Sequence, residues 1–356
     1  MNPIYEIYGN DAREMTKRLM AAADVAVRIP KGARIVIKPN LVNASRAENG
    51  ATTHPGAVAG CIEYLRDAGF TDISVIESSW VGERTANAVS ICGYDRVCEE
   101  YNVPFYDLKK DKTKRVETPF RPIEISSLAA DSDYFIDIPV LKGHCQTVMT
   151  CALKNLKGCL PDHEKRRFHT DGLIKPIAAL ASVLKPDLVI VDSICGDLNF
   201  EDGGNPVQTN RMMLGYDAVQ VDSYCCRLMG LDVADVLYIP LAEKWGAGCS
   251  RIDPEDIVRL NEPEQSREFP KVSGKVNDLV RNVSADGACS ACYASLVRAL
   301  YIAGKSGKRV NGKIYIGQGN QGKTLDGIGI GRCCAGAGKC IMGCPPSAKD
   351  ILNELF

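Results

Sequence analysis

Four times in the first two hundred residues, a short β-branched or apolar run ends abruptly in polar residues. Arg34-Ile-Val-Ile37 runs into Lys38-Pro39-Asn40, and Ile73-Ser-Val-Ile76 into Glu77-Ser78-Ser79. Tyr134-Phe-Ile-Asp-Ile138 runs into Pro139 and then Lys142-Gly143-His144, and Leu188-Val-Ile-Val191 into Asp192. Between these runs lie stretches of helical spacing: 11–27, about 55–68 stopped by Gly69, 86–100, 147–156 and about 173–184. Buried strands alternating with helices require crossover connections, so the chain is expected to fold as an α/β protein with a mainly parallel sheet and helices on both faces. Ligands of such sheets bind outside the carboxyl ends of the strands. The residues that end the four runs therefore form one candidate pocket: Lys38, Asn40, Glu77, Lys142, His144 and Asp192. The turn-rich loop Glu201-Asp-Gly203-Gly204-Asn-Pro206 joins it, its glycines allowing the backbone close to a ligand.

Residues 101–132 are polar and carry the basic run Lys109–Arg115, read as a solvated loop, and His163 and His169 fall in a Lys/Arg-rich loop where a surface role and a functional one stay equally open. Residues 216–229 are helical in spacing, and the Glu-, Pro- and Arg-rich stretch 250–275 marks a boundary, giving units 1–250 and 251–356. The net charge is −1, with 45% hydrophobic and 24% charged residues. There is no basic excess to neutralise phosphates, so nucleic acid is not an expected partner. The opening Met1-Asn-Pro-Ile-Tyr-Glu6 has no basic or apolar leader, and no run reaches the length of a membrane span, so no membrane role and a cytoplasmic location are expected.

The sixteen cysteines suit a reducing compartment. Ten are scattered through apolar patterns as small hydrophobes. The other six crowd the tail: Cys289-Ser-Ala-Cys292, Cys333-Cys334, Cys340 and Cys344-Pro345. Clustered thiols in an intracellular chain are more often metal-binding or catalytic than bridged. The compact Gly-rich loops around them favour an iron–sulfur cluster over zinc, a disulfide or an unligated set. Cys289, Cys292, Cys333 and Cys344 are the expected ligands of one [4Fe-4S] cluster, with Cys334 and Cys340 as alternates.

Gly317-Gln-Gly-Asn-Gln-Gly322-Lys323-Thr324 fits the phosphate-loop pattern and follows a strand-like Lys313–Ile316. That mechanism needs a helix after the lysine, whereas Leu-Asp-Gly327-Ile-Gly329-Ile-Gly331 will not hold one. The loop is expected to support the cysteine site.

Ile37-Lys38-Pro39-Asn40-Leu41, Thr53-His54-Pro55, Leu141-Lys142-Gly143-His144, Leu153-Lys154-Asn155-Leu156-Lys157-Gly158, Val191-Asp192 and Gly203-Gly204-Asn205-Pro206 together resemble the family catalogued as domain of unknown function 362, over roughly residues 30–230. The tail resembles the iron–sulfur segment of some members, although it departs from the ferredoxin run Cys-x-x-Cys-x-x-Cys-x-x-x-Cys-Pro.

The expected protein is thus an α/β domain with a smaller C-terminal iron–sulfur module. The leading reading is a [4Fe-4S]-dependent oxidoreductase of anaerobic metabolism that acts on a small anionic organic molecule. Lys38, Asn40, Lys154, Asn155, Asp192, Gly203 and Gly204 would hold that molecule, Lys142 would supply charge, and His144 a proton. Two alternatives stay open: a lyase or hydratase using the cluster as Lewis acid, and a non-enzymatic, ferredoxin-like electron carrier. An electron-transfer protein is an expected partner, and a homodimer is left open.

Overall fold

The structure, a computed structural model, describes residues 2–263 and 275–356. The large sheet has eight strands: Ile4–Tyr8 (β1), Ile35–Pro39 (β2), Ile73–Glu77 (β3), Phe105–Asp107 (β4), Tyr134–Ile138 (β5), Leu188–Asp197 (β6), Pro206–Gly215 (β7) and Ile257–Arg259 (β8). They lie in the order β8-β1-β7-β6-β5-β2-β3-β4, and only β7 runs against the rest. The four expected strands are the contiguous centre, β6-β5-β2-β3. The flanking β1 and β7 carry no comparable apolar run. The outer half of β7 is largely exposed, and a register shift falls between Ser193 and Cys195 of β6, so alternation is lost there.

Each central strand buries both faces, as parallel strands between helix layers do. Ile35, Ile37, Val75, Ile136 and Ile138 pack with Ala12–Ala22 (α1) and Pro55–Asp67 (α2). Val36, Ile76, Phe135, Val189 and Val191 face the other way, onto Ile174–Val183 and Ala218–Leu228. Asp11 caps α1 by accepting from Arg13 N and Glu14 N, and His54 caps α2 by accepting from Gly56 N.

Several local expectations change. The polar stretch 101–132 holds β4 and a hairpin, Thr113–Val116 with Ile123–Ser126, so the basic run is partly an edge strand. The helix expected over 86–100 is two, Thr85–Ile91 and Tyr94–Glu100, broken at Gly93, whose φ is +79°. The helix expected over 147–156 is a hairpin, Lys142–His144 with Val148–Thr150, followed by one turn at Ala152–Asn155. Loop 158–169 instead contains the helix Asp162–Thr170 (α3). The stretch 250–275 is described only to residue 263, and within it β8 pairs with β1, so the large sheet continues past residue 250.

The C-terminal region is a smaller, four-stranded parallel sheet: Val283–Ala285 (β9), Ile314–Ile316 (β10), Leu325–Ile330 (β11) and Ala337–Ile341 (β12), in that order. Ser290–Lys305 (α4) crosses from β9 to β10, and Ala348–Leu355 packs against it. Parallel strands normally need a dozen residues or more to cross over. Here residues 317–324 and 331–336 suffice, because Gly317 (φ +116°) and Gly331 (φ +84°) take turns closed to L side chains. The phosphate-loop pattern is the first of these connections. Lys323 Nζ lies 3.3 Å from Asp286 Oδ2, and the chain beyond it enters β11 with no helix.

The small sheet docks at the carboxyl ends of the large one. Gln146 Nε2 donates to Ala288 O (3.0 Å), Gln318 Nε2 donates to Arg166 O (3.1 Å), and Phe200 meets Tyr301 edge-on at 5.2 Å.

Candidate functional site

Where the modules meet, a cavity of about 100 Å³ opens beyond the ends of β2, β3 and β5. Four lysines (142, 154, 157 and 165), His144 and His169 line it, together with Glu77 and Glu201, and the amino end of α4 closes it with Cys289, Ser290 and Ala291. Of the residues the sequence nominates, Asn40, Glu77, Lys142, His144, Lys154 and Asn155 come together on this wall, joined by Glu201 of the turn-rich loop.

Lys38 lies one layer below. Its side chain is 0% exposed; Nζ donates to Glu77 Oε2 (2.9 Å) and Pro39 O (3.1 Å) and stands 4.0 Å from Asp137 Oδ1. Burial alone would lower this lysine, but Glu77 and Asp137 outweigh it and hold Lys38 above its usual range. Asp137, equally buried, is pushed up to about 7 despite the ammonium beside it. Gly158 sits against this pair, where a Cβ would collide with the Glu77 carboxylate. Asn155 Nδ2 donates to Asp137 Oδ1, and Asn40 Nδ2 to Asn155 Oδ1, both at 2.8 Å, so a hydrogen-bonded ladder carries the pair's influence up to the cavity wall.

Asp192, Gly203 and Gly204 do not line the cavity. Asp192 accepts from His54 N (2.7 Å) and Ile194 N (3.0 Å), tying the start of α2 to β6. Gly203 O accepts from the Arg298 guanidinium, and Gly204 N donates to Asn49 O, so this loop anchors α4.

Hydrogen-bond capacity divides the lysines. An ammonium has three donors. Lys142 uses all of them, on Asn40 Oδ1, Ala51 O and Glu201 O, and Lys165 uses all on Ser78 O, Ser78 Oγ and Ser79 O. Lys154 donates only to Thr150 Oγ1 (3.1 Å), and Lys157 meets only His169 Nε2 (3.3 Å). Among the described residues, none of these four has a carboxylate oxygen within 4.0 Å of its amine. Desolvation pulls Lys142 and Lys157 down to about 8 and Lys165 to about 7, and holds Lys154 well below its usual range. Lys157 is partly open to solvent.

The histidine is fixed in one tautomer. His144 Nδ1 accepts from Gln146 N (3.0 Å) and Thr147 N (3.2 Å), so the proton sits on Nε2, which lies 3.3 Å from both Glu201 Oε1 and Ser290 Oγ. Burial, reinforced by the nearby lysines, holds His144 well below its usual value and keeps it neutral. The sequence did not mark Lys157, Lys165, His169 or Ser290 as site residues; the four-residue spacing of Lys165 and His169 on one face of α3 was the available signal.

These amines set a pH dependence. The unfolded chain holds lysine protons to about pH 10, whereas folded Lys165 and Lys142 begin releasing theirs near 7 and 8. Over that interval the unfolded state binds more protons at these two lysines, so their contribution to the stability of the ligand-free protein rises with pH. A comparison that cancels the other titrating groups isolates it: in urea unfolding, the stability of Lys165→Met relative to the parent should fall by about 1–2 kcal/mol between pH 7 and pH 8.5. A flat or rising difference contradicts this.

The six tail thiols act on one another: Cys289, Cys292, Cys333 and Cys344 do so directly, and Cys334 joins them by acting on Cys292 and being acted on by Cys333 and Cys340. Burial pushes Cys289 up to about 11 and Cys292 to about 12; Cys333 and Cys344 add to both, and Cys344 adds to a raised Cys333. Cys289 caps α4 and Cys292 lies in its first turn. Gln318 Nε2 stands 3.5 Å from Cys289 Sγ. Cys334 is buried with Tyr315 and Leu325, and Cys340 packs at the edge of that group. Among the described residues, no three His, Cys, Asp or Glu side chains are set to hold a single metal ion. No helix among them is long and apolar enough to cross a membrane.

Comparison with solved structures finds the lactate racemase apoprotein of Thermoanaerobacterium thermosaccharolyticum. It is 13% identical with a TM-score of 0.42, and the match covers 64% of this chain and 57% of that one. A Thermotoga maritima protein is 12% identical with a TM-score of 0.39, the match covering 67% and 60%. This chain thus spans under two thirds of either structure. A thylakoid-associated protein of Synechocystis sp. is 26% identical over 228 residues, which is 61% of this chain and 70% of that protein. Residues 35–227, more than half of the sequence and including every cavity residue of the large domain, match the family described as domain of unknown function (DUF362), and the chain belongs to that family.

Proposed function

We propose that this protein is an iron–sulfur oxidoreductase that binds a small organic anion in the lysine-lined cavity, with Cys289, Cys292, Cys333 and Cys344 holding a [4Fe-4S] cluster at its edge. The observation that carries the reading is the double position of Cys289, which lines the cavity and belongs to the group of thiols that act on one another. The residues fit such a group. Ligands of a cluster surround a cube of metal and sulfide and do not converge on one point. Two of the thiols sit at the positive end of α4, where the helix dipole favours negative charge although burial keeps the free thiols protonated, and the Gln318 amide offers a donor to sulfur. When bound, a cluster with four thiolate ligands supplies electron transfer one electron at a time.

The chain's own residues supply the rest. Lys154 and Lys157 attract the anion with their unused donors, while Lys142 and Lys165 add charge from fixed positions. His144, neutral and protonated on Nε2, presents that N–H at the cavity wall as a hydrogen-bond donor able to polarise a substrate oxygen, as a neutral imidazole does. Trp80, Val42 and Val81 form the apolar wall that limits water.

Anaerobically purified full-length protein is expected to carry about four irons per chain, to absorb broadly in the visible, and to show a paramagnetic signal on reduction that added small carboxylates leave unchanged. A signal altered through direct ligation of a substrate to iron would replace this reading with the Lewis-acid lyase. A protein without iron would remove both.

A further inference from the structure

We propose that the ligand of this cavity is a compact dianion, a phosphate-type group or two closely set carboxylates, whose charged end seats between Lys154 and Lys157. The proposal rests on the reading of the cavity as an anion site and goes further by fixing the ligand's charge and docking point.

The charge on the wall is unbalanced. Four lysines line the cavity with two glutamates, and one of these, Glu77, is already engaged by Lys38 below. Glu201, the other, accepts from Cys145 N (3.1 Å) and faces His144, and no lysine amine lies within ion-pair distance of it. A cation removed from water costs several kcal/mol unless it is paired. Burial depresses these amines, so a bound anion draws protons onto them, and a dianion holds two ammonium groups in the charged form where a monoanion holds one.

The donors point to the same place. With Lys142 and Lys165 saturated, only Lys154 and Lys157 have two unused N–H groups each, and Lys154 is 7% exposed. Both line the one cavity, three residues apart at the turn Ala152–Asn155 and just beyond it, and Lys157 lowers Lys154 next after burial. The amino end of α4 adds Ser290 and Ala291 to the same wall, where the helix dipole favours negative charge. The cavity's small size, about 100 Å³, suits a compact head and excludes a bulky one.

The test is calorimetric titration of the iron-loaded full chain with inorganic phosphate, malonate and acetate. One of the two dianions should bind about tenfold or more tighter than acetate, and which one does separates the phosphate-type head from the dicarboxylate. Lys154→Met and Lys157→Met should each weaken that dianion by about tenfold with far less effect on acetate. Acetate binding as tightly as both dianions, absence of binding by either dianion, or unchanged dianion binding in both variants overturns the proposal. Iron is assayed in the same samples. A chain without iron that still discriminates dianions keeps this site and removes the redox reading, whereas an iron-loaded chain that prefers acetate does the reverse.

Discussion

Lys38→Met is expected to destabilise the protein by about 3–5 kcal/mol, the largest loss for any single side chain of the site. Lys38 is fully buried between Glu77 and Asp137, which are 3% and 0% exposed, and removing its charge strands two carboxylates in a medium that cannot solvate them. Urea unfolding measures the loss directly. Because the stranded carboxylates can take up protons, and Asp137 already holds its proton to about 7, the deficit should be smaller at pH 5.5 than at pH 8. Lys38→Met/Glu77→Gln should recover part of it, as expected when one buried charge is no longer left alone. A deficit under about 1 kcal/mol, typical of surface changes, would mean that the pair is solvated and does not anchor the strand ends.

The opposite sign is expected one layer up. Lys154→Met should leave the ligand-free protein as stable or more so, by about 1–2 kcal/mol, because it removes a buried amine with one weak partner and keeps most of its volume. Dianion binding should fall in the same variant. A residue kept against the stability of the fold and required for ligand is functional, so the joint outcome separates a binding role from packing. A clear fall in unfolding free energy with ligand affinity intact would assign Lys154 to structure.

These two lysines also show how far the sequence could be read. Both stand in short apolar contexts, and both are readable as residues of the sheet's carboxyl edge. The central strands β2, β3, β5 and β6 declare themselves by β-branched runs that end in polar residues, so the edge and its lysines follow. What the sequence could not convey is depth. Lys38 ends its strand pointing into the layer below, and Lys154 rises into the cavity, a difference set by the pleat of β2 and by the single turn Ala152–Asn155. Lys165 and His169 were lost for another reason. They lie in a segment so charged that it reads as a solvated loop, yet α3 buries one face against the cavity, where Ser78 and Ser79 hold the Lys165 amine and Lys157 meets the neutral His169 ring. Gly203 and Gly204 were nominated for flexibility that serves contact with Asn49 and Arg298. The hairpin at Lys142–Thr150 was read as the start of a helix because Val148 takes a left-handed φ of +67°, a turn no residue pattern announces.

The central claim is that four tail thiols hold an iron–sulfur cluster beside the anion cavity, and the most direct test is the iron content of anaerobically purified Cys289→Ser/Cys292→Ser protein. The account predicts that the double variant stays folded through the large domain, loses its iron and visible absorption, and loses the reduced paramagnetic signal. Full retention of iron and of that signal would contradict it.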